Sequence, residues 1–223
     1  MKNNEELQKD VQDAIKWEPL LNAAEIGVTA KDGVITLTGV VDSYAKKVEA
    51  ENAAKNVNGV KAVVEKIEIS FGNVGKKDDG EIANEIINAL KWNWATISDK
   101  VKVKVENGWV TLDGELQWNY QKEAANTSAS YLAGVKGVTD NIIIKPQTND
   151  EVEKKDIESA LKRTWSINDK DIHVNVIGNN VTLTGTVHSL YQKDKTERVA
   201  MKAPGVVSVN NELVIEYDYE LAE

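Results

Sequence analysis

One short motif occurs three times along this chain. Residues 33–39 read GVITLTG, residues 108–114 read GWVTLDG and residues 179–185 read NNVTLTG, so that the motifs end at Gly39, Gly114 and Gly185. In every copy a second glycine, followed by valine, stands 20 positions later, at Gly59, Gly134 and Gly205. Because these intervals match without gaps, we interpret the chain as three tandem copies of one unit of about 70 residues.

Within each copy the hydrophobic period changes from helical to strand-like. Leu7, Val11 and Ile15 share one helical face, and alternating apolar residues then flank a dipeptide that favours a two-residue hairpin turn, namely Asp32-Gly33, Asn107-Gly108 or Gly178-Asn179. An alanine-rich helix follows, and the glycine-valine pair opens a last strand. Since a helix separates the second and third strands, we expect these strands to be parallel neighbours.

The predicted fold class is therefore α+β. We expect three αββαβ units, each with a three-stranded mixed sheet and two helices on one face, at residues 1–70, 80–146 and 150–218. Polar segments at about 70–80 and 145–150 are the expected linkers, with Asn149 or Asp150 capping the next helix.

The repeated motif itself holds only glycine, threonine and aliphatic residues. Gly39 has the inward parity of Ile35 and Leu37, so its missing side chain lets a backbone approach closely or permits a bulge. The threonines between them fall on the outward face, where β-branched residues are favoured. We interpret the motif as a packing signature, and its glycines as structural.

Charge and composition exclude several functions. The net charge of -9 argues against nucleic-acid binding, and the absence of cysteine excludes disulfides and thiolate metal sites. No apolar run approaches the roughly 20 residues of a transmembrane segment. The first 17 residues are charged throughout and predict a helix rather than a signal peptide, so we expect a cytoplasmic location, or a periplasmic one if a leader has been removed.

The unit resembles the BON domain, named for bacterial osmotically inducible and nodulation proteins. The residues that carry this resemblance are GVITLTGVVDSYAKK, VTLDGELQWNYQKEAA and VTLTGTVHSLYQKDK, each followed by its glycine-valine pair. The resemblance implies a non-enzymatic module of the cell envelope that binds phospholipid or protein surfaces. It also implies a link to osmotic or general stress.

Catalytic and metal-binding patterns are poor. The only histidines, His173 and His188, belong to the third copy and have no counterparts in the others. His173 is expected on the outer sheet face, and His188 in the loop before the second helix. No zinc-protease, serine-hydrolase or phosphate-loop motif occurs, so we predict no enzyme activity, no cofactor and no metal.

A candidate surface is suggested by aromatic residues that the repeat does not require. Trp94 and Trp165 share one repeat position and are expected to pack between helix and hairpin, whereas Trp109 and Trp118 occur only in copy two. Because the repeat does not require Trp109 and Trp118, these two tryptophans suit contact with a lipid or protein partner, although contact between neighbouring copies is an open alternative. Tyr120 follows Trp118 closely.

Lysine recurs eight residues after each motif glycine, at Lys47, Lys122 and Lys193. These positions fall at the start of the second helix, where helix N-termini attract anions, so the lysines either mark a site for lipid phosphate or simply face solvent. We therefore place a hypothetical lipid or partner surface at Trp109, Trp118, Tyr120, Lys122, Lys47 and Lys193. Its expected partner is a phospholipid membrane or, alternatively, an unidentified protein.

The alternating lysines of VKVKV suggest a basic stripe at first sight. If Asn107-Gly108 forms the turn, Val105 pairs with Val110, and Lys102 and Lys100 lie opposite Asp113 and Glu115. We interpret this face of the sheet as charge-balanced and solvated.

Overall fold

The computed structural model describes residues 3–72, 77–93, 99–145, 154–164 and 171–216. Each copy shows the predicted order of helix, hairpin, helix and strand. The predictions made for Trp94, Trp165, Asn149 and Asp150 lie outside the described residues.

Each copy contributes two helices and a small sheet. Copy one consists of α1 (Asn4–Trp17), β1 (Ile26–Lys31), β2 (Val34–Val41), α2 (Tyr44–Lys55) and β3 (Ala62–Ile69). Copy two consists of α3 (Asp79–Asn93), β4 (Val101–Glu106), β5 (Trp109–Leu116), α4 (Asn119–Ser130) and β6 (Gly137–Ile144). Copy three consists of α5 (Lys154–Lys162), β7 (Ile172–Ile177), β8 (Asn180–Val187), α6 (Leu190–Met201), β9 (Ser208–Asn211) and β10 (Val214–Ile215).

The second strand of each copy lies in the middle of its sheet. The hairpin strands are antiparallel, with Val105 opposite Val110 as predicted, and β5 and β6 run parallel. In copy one, the Lys61 and Ser70 amides donate to the Gly33 and Val41 carbonyls, so β3 also runs in the direction of β2. The predicted parallel pairing is confirmed.

The last strand of copy three differs from the expectation of one continuous segment. It is divided into β9 and β10, and both parts pair in parallel with β8. Between them, the Leu213 amide donates to the Asn211 side chain at 3.3 Å, and the Glu212 amide still donates to the Leu183 carbonyl of β8 at 2.9 Å. The Ile142 amide makes the equivalent bond to Asp140 in the continuous β6, so this bond does not explain the division.

The first helix is tied to the hairpin turn at its first residue. The Asp79 carboxylate accepts hydrogen bonds from the Asn107 and Gly108 amides at 2.7 and 2.9 Å, and the Asn4 side chain accepts one from the Asp32 amide at 2.9 Å. Each of these helices therefore begins at the turn end of its sheet and leads away from it.

One hydrophobic core lies between the sheet and both helices of each copy. In copy two this core includes Ile86 and Leu90 from α3, Leu112 and Ile142 from the sheet, and Ala125 from α4. The core of copy three has the same composition by element. Because residues of both helices meet the same side of the sheet, the predicted placement of both helices on one face is confirmed.

The motif glycines lie where the chain approaches its own hairpin. A Cβ atom on any of these glycines would overlap the main-chain carbonyl oxygen of the residue immediately before the first strand of the same copy. The pairs are Gly39 with Glu25, Gly114 with Lys100, and Gly185 with Asp171. The close backbone approach therefore comes from the hairpin rather than from a helix.

The outer face of the copy-two sheet is only partly charge-paired as expected. Lys102 lies opposite Asp113, as predicted. Lys100 precedes β4, so its expected position opposite Glu115 lies one step beyond the ladder, and the Glu115 carboxylate binds Lys145 at 2.6 Å.

Candidate binding surface

The two ends of copy two differ in the side chains that they present. α3 has 15 residues, or about 22 Å, which is close to the length of the eight-residue β5 at about 26 Å. Because α3 begins at the hairpin turn, it ends where β5 and β6 also end and where α4 begins. We call this the aromatic end of copy two, because it carries Trp92, Trp118 and Tyr120.

Trp109 lies at the opposite end, immediately after the hairpin turn. Its side chain is 58% exposed, yet a Cβ atom built on Gly137 of the neighbouring strand would overlap the indole ring. The ring therefore covers this glycine and stabilises the pairing of β5 with β6, as aromatic residues do opposite glycines in sheets. The structure does not bring Trp109 together with Trp118.

Trp118 and Tyr120 flank the first residue of α4. Trp118 has extended backbone angles, φ -136° and ψ 142°, and both its amide and that of Gln117 donate to the Gln121 side chain at 3.2 Å. Gln121 thus caps the helix, and the indole is left for other contacts. Trp118 and Tyr120 are 37% and 45% exposed.

Two of the three repeated lysines bind the last segment of their own copy, either β6 or the residues between β9 and β10. The Nζ atoms of Lys122 and Lys193 donate to the carbonyl oxygens of Ile142 and Leu213, each at 2.7 Å. The Ile142 amide is also taken by a side chain, that of Asp140, at 3.0 Å. Lys47 occupies the equivalent position in copy one and is also engaged in an interaction. A bond from the helix to a main-chain carbonyl of the last segment thus explains Lys122 and Lys193 without a ligand.

Two tryptophans that the sequence patterns did not single out are the most exposed large apolar side chains described. Trp17 and Trp92 are 84% and 91% exposed. They stand 75 positions apart, which is the spacing of copies one and two, and follow Lys16 and Lys91. The repeat spacing that identified the glycines was a sufficient signal for them. Each lies two residues beyond a core position of its helix, on the side that faces away from the sheet.

The described residues offer little for catalysis or metal binding. They contain no group of three or more His, Cys, Asp or Glu placed to hold a metal ion. Lys46 donates a hydrogen bond of 2.8 Å to the Asp42 carboxylate, and this bond, together with the positive charge of Lys46, lowers the pKa of Asp42. A carboxyl group that acts as a general acid or base at neutral pH needs a raised pKa instead. His173 is exposed on the outer face of β7, and His188 lies between β8 and α6, both as expected.

Within the described ranges, no helix combines the length and the hydropathy that crossing a bilayer requires.

The fold defines the class first: a tandem-repeat protein built from small α+β modules. A family model for the BON domain matches residues 3–70, 78–146 and 149–217, and the chain therefore belongs to the BON domain family, with three copies in tandem.

The chain is similar to osmotically-inducible protein Y of Escherichia coli (strain K12), with 32% identity over 129 residues. That match covers 56% of this chain and 64% of the relative, so less than two thirds of the relative is spanned.

Solved structures give weaker likenesses. The C-terminal domain of CdsD, a structural protein of the type III secretion system of Chlamydia trachomatis, aligns over 96% of this chain and 100% of its own, with 19% identity and a TM-score of 0.27. The PrgH periplasmic domain aligns over 92% of this chain and 98% of its own, with 9% identity and a TM-score of 0.23. Likenesses this low carry no argument about function.

Proposed function

We propose that this chain is a non-enzymatic protein that binds the surface of anionic phospholipid membranes and acts in osmotic or general stress adaptation. The observation that carries the proposal is the exposure of Trp17 and Trp92 at one repeat position, each beside a lysine. The connection to stress is supported by the similarity to osmotically-inducible protein Y.

The chemistry of this pair suits a membrane interface. An indole ring has an apolar body and a polar N–H, and it partitions to the headgroup region of a bilayer. A neighbouring lysine can bury its methylene stem while its ammonium group stays among the phosphates. Lys16 and Lys91, which are exposed, fill this role better than Lys122, whose Nζ is bonded to Ile142.

Within copy two, further aromatic side chains accompany Trp92. Trp118 and Tyr120 lie at the same end of the sheet as Trp92, so that three aromatic side chains are presented there. The net charge of -9 opposes approach to an anionic bilayer. We therefore expect weak binding that falls as the salt concentration rises.

The alternative function is a protein-interaction scaffold without a lipid role. Tryptophan and tyrosine are also enriched in protein interfaces, and a groove in copy two lined by Lys100, Lys102 and Lys145 favours this candidate.

The cellular compartment, expected to be the cytoplasm, or the periplasm if a leader is removed, stays a prediction that cell fractionation tests.

Vesicle sedimentation distinguishes the two functions. The protein is mixed with phosphatidylglycerol or phosphatidylcholine vesicles at low and high salt, and the double variant Trp17→Ala/Trp92→Ala is compared with Trp109→Ala, a matched control at the other end of copy two. We expect salt-sensitive binding to phosphatidylglycerol that the double variant loses and the control keeps. Circular dichroism confirms folding. Equal binding by all folded proteins would contradict the proposed surface, and no binding by wild type would favour the scaffold.

A further inference from the structure

The end of the copy-two sheet carries a shallow groove with a volume of about 590 Å³. Three lysines line it together with one carboxylate, an amide side chain and a short length of β5. The lining residues are Lys100, Lys102, Lys145, Glu115, Gln117, and the segment of Gly114 and Leu116.

The charges of this groove do not cancel. Lys145 binds Glu115 at 2.6 Å, so these two groups neutralise each other. Within the described part of the chain, Lys100 and Lys102 have no carboxylate in ion-pair contact, and Asp113, which faces Lys102 across the ladder, accepts a hydrogen bond from the Asn141 amide at 2.9 Å. The lining, with three lysines and one glutamate, therefore has a net charge of +2, which the Asp113 carboxylate opposite Lys102 reduces but does not cancel, on a protein that is negative overall.

The fold does not require lysines at these positions, and the other two copies show this directly. The residues equivalent to Lys100, Lys102 and Lys145 are Glu25, Gly27 and Ser70 in copy one, and Asp171, His173 and Glu216 in copy three. The same place in the fold is thus acidic or nearly neutral elsewhere. Three lysines converge there only in copy two, which indicates a role outside the stability of the module.

The spacing of the unpaired charges indicates the shape of a partner. Lys100 directly precedes β4, an edge strand, and Lys102 is the second residue of that strand, so their Cα atoms are at most about 7 Å apart. Alternate side chains of any extended peptide have the same spacing. A peptide whose carboxylates alternate with neutral residues can therefore place one carboxylate on each lysine, whereas consecutive carboxylates point to opposite sides.

We propose that this groove is a docking site for an extended acidic peptide segment of a partner protein, with carboxylates at alternate positions. Complementary charge sets the register of the peptide, and the Gln117 side chain offers a polar contact beside it. This inference does not rest on the proposed membrane function, because none of the tryptophans assigned to the membrane lines the groove.

The test is a titration followed by 1H-15N NMR with the whole chain at low salt. The probe is the capped peptide Glu-Ser-Glu-Ser-Glu, and the matched control is Glu-Glu-Ser-Ser-Glu, which has the same composition and charge but no two carboxylates two positions apart. We expect the alternating peptide to shift the amides of Lys100, Lys102 and the 114–117 segment, and to bind more tightly than the control peptide.

The matched variants are Lys100→Glu/Lys102→Glu and Lys104→Glu/Lys136→Glu, which change the net charge equally. Neither Lys104, which pairs with Glu106 at 2.8 Å, nor Lys136 lines the groove. We expect the first double variant to weaken binding about tenfold or more, and the second by less than about threefold. If the first variant fails to fold, Lys100→Gln/Lys102→Gln takes its place.

Several results would overturn the proposal. They are no shift of groove amides by the alternating peptide, equal binding of the two peptides, equal effects of the two double variants, or inorganic phosphate binding the groove as tightly as the peptide. Vesicle binding by the groove variants is measured in parallel. Its loss with Lys100→Glu/Lys102→Glu but not with Lys104→Glu/Lys136→Glu would assign the groove to lipid instead.

Discussion

Replacing Gly185 by alanine is expected to unfold the third copy selectively. Gly185 has φ +117°, a conformation that L residues avoid at a cost of about 1–3 kcal/mol. The added Cβ atom would also overlap the carbonyl oxygen of Asp171, and moving the two hairpin strands apart costs about another 1–3 kcal/mol. The sum, about 2–6 kcal/mol, is comparable with the whole stability of about 4–10 kcal/mol expected for a module of about 70 residues.

Gly178→Ala is the matched control for this change. Gly178 lies in the hairpin turn of the same copy with φ +60°, but a Cβ atom there would meet nothing within 4 Å. Its replacement therefore involves only the conformational cost, about 1–2 kcal/mol.

Scanning calorimetry of the whole chain measures both variants. For Gly185→Ala we expect the third-copy transition to fall by about 10 °C or more, or to vanish, since 1 kcal/mol corresponds to about 4–8 °C in a domain of this size. The Gly178→Ala transition should fall by clearly less. Equal shifts for the two variants would refute the reasoning, because they would show that the overlap with Asp171 contributes nothing.

Three further predictions concern polar contacts. Asp79→Ala should destabilise copy two by about 1–3 kcal/mol in urea unfolding, because two turn amides lose their acceptor. Asp79→Asn should lose less stability, since the Asn4 side chain accepts a similar bond in copy one. Equal losses for the two variants would contradict this role of Asp79. Lys193→Met should lower the free energy of unfolding of copy three by about 1–2 kcal/mol, because the Leu213 carbonyl loses its donor. An unchanged urea midpoint would show that the bond is dispensable. Because Lys46 lowers the pKa of Asp42, this ion pair stabilises the fold fully above the ordinary carboxyl pKa of 3.8 and loses its effect as the pH falls through the lowered pKa. The difference in melting temperature between wild type and Asp42→Asn should therefore shrink below pH 3.8. A difference that stays constant with pH would rule out a stabilising ion pair.

Much of the fold follows from local patterns in the sequence. The turn dipeptides Asp32-Gly33 and Asn107-Gly108 take positive φ at both residues, as type I′ hairpins require, and they set the register that places Val105 opposite Val110. Helix faces follow in the same way, because one turn of hydrophobic periodicity fixes which side is buried. These features depend on residues that are neighbours in the chain, so they can be predicted from the sequence.

The candidate surface is less accessible to such reasoning. A lysine at the start of a helix has the same local signal whether it faces a ligand or a strand, and only the fold shows that Lys122 reaches the Ile142 carbonyl. Likewise, Trp109 and Trp118 are close in sequence, but the length of β5 separates them, and the ring of Trp109 covers Gly137. Proximity along a chain does not give proximity in space once an extended strand intervenes.

By itself, the sequence determined the number of copies, the order of their elements, the hairpin turns and the buried faces. Each of these features depends on residues only a few positions apart, whose steric preferences and hydrophobic periodicity determine the local structure directly. Only the packed fold shows that Trp17 and Trp92 are exposed, that Lys122 and Lys193 bind main-chain carbonyls, and that Lys145, rather than Lys100 or Lys102, forms the ion pair with Glu115. Those outcomes depend on which groups meet across elements far apart in the chain, and burial and pairing of charge exist only after the elements have packed.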